Sequence, residues 1–119
     1  MQNKVGEKMF DKSQLMRGTL EGCILKVISV EVTYGYEIME RLISFGFDDI
    51  REGTIYPLLL RLEVKNFISS EFRASPLGPN RKYYCITEEG IDNLNSFEGT
   101  WNDISKSVNK IFRRSEMND

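Results

Sequence analysis

The sequence offers hydrogen-bond donors and cations where an enzyme would need bases and nucleophiles. Thr54, Tyr56, Leu60 and Arg61 fall within eight consecutive residues, and Arg81 and Lys82 follow twenty residues later. Threonine and tyrosine hydroxyls donate to phosphate oxygens, arginine binds phosphate or guanine, leucine can touch a thymine methyl, and paired cations in a loop supply point charges. That is chemistry for holding a nucleic acid. Histidine is absent from all 119 residues, which removes Ser-His-Asp and Cys-His systems, histidine zinc sites and any base poised near neutrality. The acids spread along polar stretches without a nucleophile or metal motif beside them, so no enzyme, metal site or cofactor is expected.

The totals of 16 basic and 18 acidic side chains, a net charge of −2, argue naively against a polyanionic partner. Charge by segment says otherwise. Residues 53–87 carry five basic and two acidic side chains, whereas 31–52 carry two basic and six acidic and 88–104 carry five acidic and none basic. Arg73, Arg81 and Lys82 stand in a ten-residue stretch without an acid. Such a patch can hold phosphates even on an acidic protein, although by charge alone an ordinary solvated loop is the better description.

Cys23 and Cys85 are 62 positions apart in apolar runs. They read as small buried hydrophobes in a reducing, cytoplasmic compartment, and Cys85 has no basic residue within two positions to stabilise a thiolate. The first residues contain no apolar core of a signal peptide, and no apolar run approaches membrane-spanning length, so neither secretion nor a membrane span is expected.

Elements must position the donors and cations. Met16, Leu20, Cys23, Ile24, Val27 and Ile28 recur with helical spacing and predict a helix over Leu15 to Val30 with one buried stripe. Ile38, Met39, Leu42 and Ile43 predict a short second helix, opening after the turn-prone Tyr34-Gly35-Tyr36 and stopping at Gly46. A third helix is expected from about Thr54 to Lys65, capped by Gly53 or Thr54, with Pro57 in its first turn. Its inner face holds Ile55, Leu58, Leu59 and Leu62, and its outer face Tyr56, Pro57, Leu60, Arg61 and Val64. Aromatic and β-branched runs at Phe67 to Arg73 and Arg81 to Ile86 predict a β-hairpin with a long, turn-rich tip at residues 74–80, in which Tyr83 and Tyr84 read as packing residues. Thr87 then caps a last helix reaching about Arg114. On it Leu94, Phe97, Trp101, Ile104, Val108 and Ile111 form a heptad seam suited to a partner helix, weakened by Gly99.

Three helices, a basic hairpin and a seam-bearing helix are the element order of a winged helix-turn-helix, mainly α with a small β-hairpin, followed by a C-terminal dimerisation helix. Residues 1–87 are expected to form the DNA-binding domain and 88–115 the dimerisation helix.

The segments Gly53-Thr54-Ile55-Tyr56-Pro57-Leu58-Leu59-Leu60-Arg61-Leu62-Glu63 and Gly78-Pro79-Asn80-Arg81-Lys82-Tyr83-Tyr84-Cys85-Ile86-Thr87-Glu88-Glu89-Gly90, with Tyr34-Gly35-Tyr36-Glu37-Ile38, resemble the signature of the PadR family of bacterial transcriptional regulators. The resemblance runs from about Leu15 to Val108. It implies a homodimeric repressor of the branch with a single C-terminal helix, bound to a pseudo-palindromic operator in double-stranded DNA. By the same resemblance, DNA-contacting roles fall on Tyr36, Thr54, Tyr56 and Arg61, and in the wing on Gly78, Arg81 and Lys82, while Leu60 departs from the family, where a polar residue is commoner. Val64-Lys65-Asn66 also departs: acidic residues and a glycine are usual there.

Trp101 reads either as a packed interface aromatic or, by resemblance to small PadR-like regulators of multidrug-efflux genes, as a platform stacking on a planar aromatic inducer. Phe97 and Ile104 would line that cavity, Asp103 would attract a cationic ligand, and Met9, Phe10 and Leu15 would contribute from the first helix region. The competing class is a winged-helix module that binds another protein through the outer face of its third helix and responds to no ligand.

Overall fold

Asp11 opens the first helix. Its carboxylate accepts from the Ser13 backbone N–H at 3.1 Å and the Ser13 hydroxyl at 2.7 Å, satisfying a donor that the first turn leaves free. Helix α1 (Lys12–Val30) therefore starts three residues before the apolar period does. The computed structural model describes residues 10–117. After α1 come β1 (Thr33–Tyr34), α2 (Gly35–Ser44), α3 (Glu52–Val64), β2 (Ile68–Ser75), β3 (Gly78–Ile86) and α4 (Glu88–Met117).

The core is built around α1. Leu20, Ile24, Leu25 and Ile28 meet Ile38 and Leu42 of α2, Ile55, Leu59 and Leu62 of α3, Ile68 of β2, Tyr84 of β3 and Leu94 of α4. Burial of Leu25 beside Ile24 shows that α1 is covered over more than the single stripe expected from its period. The expected inner face of α3 is confirmed at Ile55, Leu59 and Leu62, all buried, while Tyr56, Leu60 and Val64 stand exposed.

Helices α2 and α3 end in the same way. Gly46, at φ +120°, follows α2, with its N–H on the Ile43 carbonyl and the Phe47 N–H on the Leu42 carbonyl, each at 3.0 Å. Asn66, at φ +67°, does this for α3, with the Asn66 N–H on Glu63 and the Phe67 N–H on Leu62. Both are Schellman ends, which require a left-handed residue. Asparagine tolerates that conformation better than most residues, so the departure at Asn66 preserves the backbone that a glycine would give.

Three expectations change. The hairpin is part of a three-stranded antiparallel sheet ordered β1-β3-β2, because Thr33 and Tyr34, the latter expected in a turn, pair with Tyr84 and Tyr83. The hairpin tip is tight: Ser75 pairs with Gly78, leaving Pro76-Leu77 as the turn, and the ladder shifts between Arg73 and Ser75. Helix α3 begins at Glu52, so Pro57 is its sixth residue rather than a first-turn residue. The Gly53 carbonyl there lacks an i+4 donor, a cost the flanking core residues Ile55 and Leu59 offset.

The Thr87 hydroxyl accepts from the Gly90 N–H at 2.9 Å and donates to the Asn66 carbonyl at 2.7 Å, so the cap of α4 also ties it to the end of α3. Gly90 sits so close to β2 that an added methyl would fall 2.0 Å from the Phe67 carbonyl oxygen. Farther along, Phe97 packs on Gly22 of α1, where a methyl would meet the ring at 2.4 Å. Leu94, expected on the seam for a partner, is buried in the chain's own core, and Phe97 is half-buried against α1. Beyond them the seam is bare: Trp101, Ile104, Val108 and Ile111 are 44–69% exposed. Among the described residues no helix is long and apolar enough to cross a membrane.

Candidate nucleic-acid interface

Tyr56 and Leu60, one helical turn apart, project from α3 toward the sheet. With Tyr34, Gly35, Arg81, Lys82 and Tyr84 they line a groove of about 380 Å³. Gly35 makes room for the Tyr56 ring, since a methyl there would lie 2.5 Å from its Cε1. Partial burial, then the nearby Glu52 carboxylate, pushes the Tyr56 phenol above its ordinary range, so it remains a donor at neutral pH.

The wing cations are held by aromatic rings. The Arg81 guanidinium lies 4.4 Å from the centroid of Tyr34 and that of Arg73 4.9 Å from Tyr83, while the two tyrosine rings meet edge-on at 5.4 Å. Such stacking orients a guanidinium without neutralising it, although Arg73 Nε also donates to Glu71 Oε2 at 2.8 Å. Lys82 differs: its Nζ is 3.1 Å from Glu63 Oε1, and the Ser70 hydroxyl donates to the same carboxylate at 2.5 Å. Glu63 thus braces the wing against α3. The Ser70 bond, opposed by partial burial and assisted by Lys82, holds its carboxyl below the ordinary glutamate value. Arg61 is also engaged, with Nε 3.1 Å from Glu21 Oε2 on α1.

The groove therefore unites Tyr56, Leu60, Arg81 and Lys82 of the expected contact set. Thr54 lies on the opposite flank of α3, in a depression of about 340 Å³ beside Arg17, Asp49 and Pro57. Gly78 is at the exposed wing end beside Leu77, which is 96% exposed, and Tyr36 is exposed in the first turn of α2. Sequence reasoning missed Tyr34, Gly35 and Tyr84 as groove residues; the alternation of Lys82 and Tyr84 on one face of β3 was the available signal.

A second groove, of about 410 Å³, runs between α1 and α4, lined by Lys12, Leu15, Met16, Thr19, Cys23, Phe47, Phe97 and Trp101. Leu15, Phe97 and Trp101 were expected together and meet here. Asp103, Ile104 and Phe10 are exposed and lie outside this lining, and Met9 falls outside the described residues. Helical spacing accounts for Asp103, which sits about 200° around α4 from Trp101, whereas Ile104 is only about 60° away and lies farther along the helix than Trp101, the last α4 residue of the lining. Cys23, expected buried, is half-buried, and that burial pushes its thiol up. Cys85 is exposed rather than buried: it sits on the β3 face opposite Tyr84. Among the described residues no cluster of three or more cysteine or acidic side chains is arranged to hold a metal ion.

Known proteins share this fold. The profile of the transcriptional regulator PadR-like family matches residues 24–96, from the middle of α1 into α4. The crystal structure of a PadR-like transcriptional regulator from Bacillus cereus superposes with a TM-score of 0.76 at 46% identity, covering 83% of this chain and 96% of that one. A Streptococcus transcriptional regulator gives a TM-score of 0.76 at 45% identity, over 82% and 96% of the respective chains. A protein of Lysinibacillus sphaericus is 31% identical over 99 residues, 82% of this chain and 91% of its own length. With a profile covering more than half the sequence and a matching fold, the chain belongs to the PadR-like family of transcriptional regulators.

Proposed function

We propose that the protein is a homodimeric repressor that seats the outer face of α3 in the major groove of operator DNA and lays the β2-β3 wing along the adjoining backbone. The observation that carries this reading is the groove joining Tyr56 and Leu60 of α3 to Arg81 and Lys82 of the wing. One face thereby presents a base-reading helix, phenolic donors and cations to a single duplex. The assignment extends to Tyr36, Thr54, Arg61 and Gly78 as flanking contacts. Residues 1–87 serve as the DNA-binding unit and 88–115 as the dimerisation helix.

Dimerisation is supported by the bare stripe of Trp101, Ile104, Val108 and Ile111, whose spacing of three, four and three residues suits a partner helix. A planar aromatic molecule bound in the α1–α4 groove against Trp101 and Phe97 releases the DNA. The support for this is the apolar lining of the groove and its place beside the stripe, where a bound ligand would alter how two copies meet.

The test is selection from a randomised duplex pool, followed by fluorescence anisotropy across a salt series and light scattering for mass. The expected outcome is a dimer that retains a pseudo-palindromic duplex with half-sites about one helical turn apart and binds it less tightly as salt rises. A folded protein with no preference over random duplex at low salt overturns the reading in favour of a protein-binding module.

A further inference from the structure

We propose that Glu21 is an affinity-setting latch, holding two cations at the C-terminal end of α3 against α1 and competing with DNA phosphate for them. This rests on the DNA-binding reading above and adds a residue of opposite charge to it.

Glu21 projects from the middle of α1, between the buried Leu20 and Gly22. Its side chain is 22% exposed, and its two oxygens engage two partners: Oε2 is 3.1 Å from Arg61 Nε and Oε1 is 4.0 Å from Lys65 Nζ. Arg61 lies in the last turn of α3 and Lys65 caps its end one turn on, so a single carboxylate spans both. Their side chains are 62% and 43% exposed. The acid is therefore the fixed member and the cations are the exchangeable ones. Both flank Leu60 and Val64, which stand exposed on the α3 face assigned to DNA.

The contrast with Arg81 gives the latch its meaning. Among the described residues Arg81 has no carboxylate partner and is oriented by the Tyr34 ring, so its charge is available to phosphate without exchange. Arg61 and Lys65 must first leave Glu21. An anion within the protein thus takes the place that a phosphate would occupy, lowering both the affinity and the number of phosphates neutralised. Because the pairs are largely solvent-exposed, the competition is shallow, and DNA wins the two cations only in part.

The test uses the full chain and the duplex selected by the wild-type protein. Affinity is measured at several salt concentrations for wild type, Glu21→Gln, Arg61→Ala/Lys65→Ala and the triple variant, with thermal unfolding as the control for fold. Glu21→Gln is expected to tighten binding about two- to fivefold at low salt and to steepen the slope of log affinity against log salt by about 0.9 for each phosphate gained. In the Arg61→Ala/Lys65→Ala background the same change should do nothing. Equal tightening in that background would expose a general charge effect and overturn the latch. So would unchanged or weaker binding by a folded Glu21→Gln protein. Glu21→Asp keeps the charge but withdraws the carboxylate by one methylene; it should shift affinity in the same direction and serves if the glutamine variant fails to fold. A wild-type protein that selects no duplex overturns the DNA-binding reading instead.

Discussion

Gly90→Ala and Gly99→Ala make the same chemical change on the same helix and should act with opposite sign. At Gly99 nothing lies within 4 Å of an added methyl, so the gain in helix propensity, about 0.5–1 kcal/mol, is realised in full. At Gly90 the methyl would fall 2.0 Å from the Phe67 carbonyl oxygen, 2.7 Å from Ile86 Cγ1 and 2.9 Å from the Phe67 carbonyl carbon. Two of these atoms are backbone, and the oxygen is already held by the Thr87 N–H at 3.1 Å. Relief requires moving α4 away from β2. Overpacking of this kind costs about 1–3 kcal/mol, and the displaced Thr87 N–H and Gly90 N–H bonds add about 1 kcal/mol each. Set against the propensity gain, the net loss is about 2–4 kcal/mol. Urea unfolding followed by circular dichroism, at one fixed protein concentration because of the proposed dimer, measures both variants. A Gly90→Ala protein as stable as wild type would refute the close-approach argument, as would losses of similar size at the two positions.

The other predictions concern the interface, the groove and the acid response. Arg81→Ala should weaken operator binding and make it less salt-dependent by about one phosphate, a slope change of about 0.9, while leaving dimer mass unchanged; an unaltered slope would remove Arg81 from the contact set. Titration with a planar aromatic cation should quench Trp101 fluorescence and weaken DNA binding in parallel, and Trp101→Ala should abolish the release. Without quenching, and with DNA binding unchanged, Trp101 is a packing residue alone. The Ser70 hydroxyl bond to Glu63 holds that carboxyl below its ordinary value of 4.5, so its contribution to stability is present above that pH and is lost as pH falls through the depressed value. Glu63→Gln should accordingly flatten the fall in stability in that acidic window, and a variant with the wild-type acid profile would contradict the assignment.

Much of the fold was legible because its signals are local. The Gly46 stop, the Thr87 cap and the inner face of α3 each depend on residues within a few positions of one another. β1 was not legible: two residues carry no alternation, and Thr33 becomes strand only because Tyr84 lies opposite, 51 positions on. Pro57 misplaced the start of α3, because the proline rule describes an unsupported helix while the buried Ile55 and Leu59 hold this one. The seam was read as one feature, yet Leu94 is spent on the chain's own core and only its later part is free. At the candidate site the cations were found but their partners were not. Glu21 and Glu63 reach Arg61 and Lys82 from 40 and 19 positions away, and no periodicity reports such pairs.

The contact between Gly22 and Phe97 makes α4 a lever. From Phe97 to Met117 the helix extends about 30 Å at 1.5 Å per residue, and a tilt of about 10° about that contact swings its far end by about 5 Å. With no side chain at residue 22 to cushion the ring, any tilt of α4 passes directly to α1 and the helices packed on it. In the proposed dimer the two reading heads would be geared together through this joint, so substitutions there should alter the operator spacing the protein prefers without touching a single DNA-facing residue.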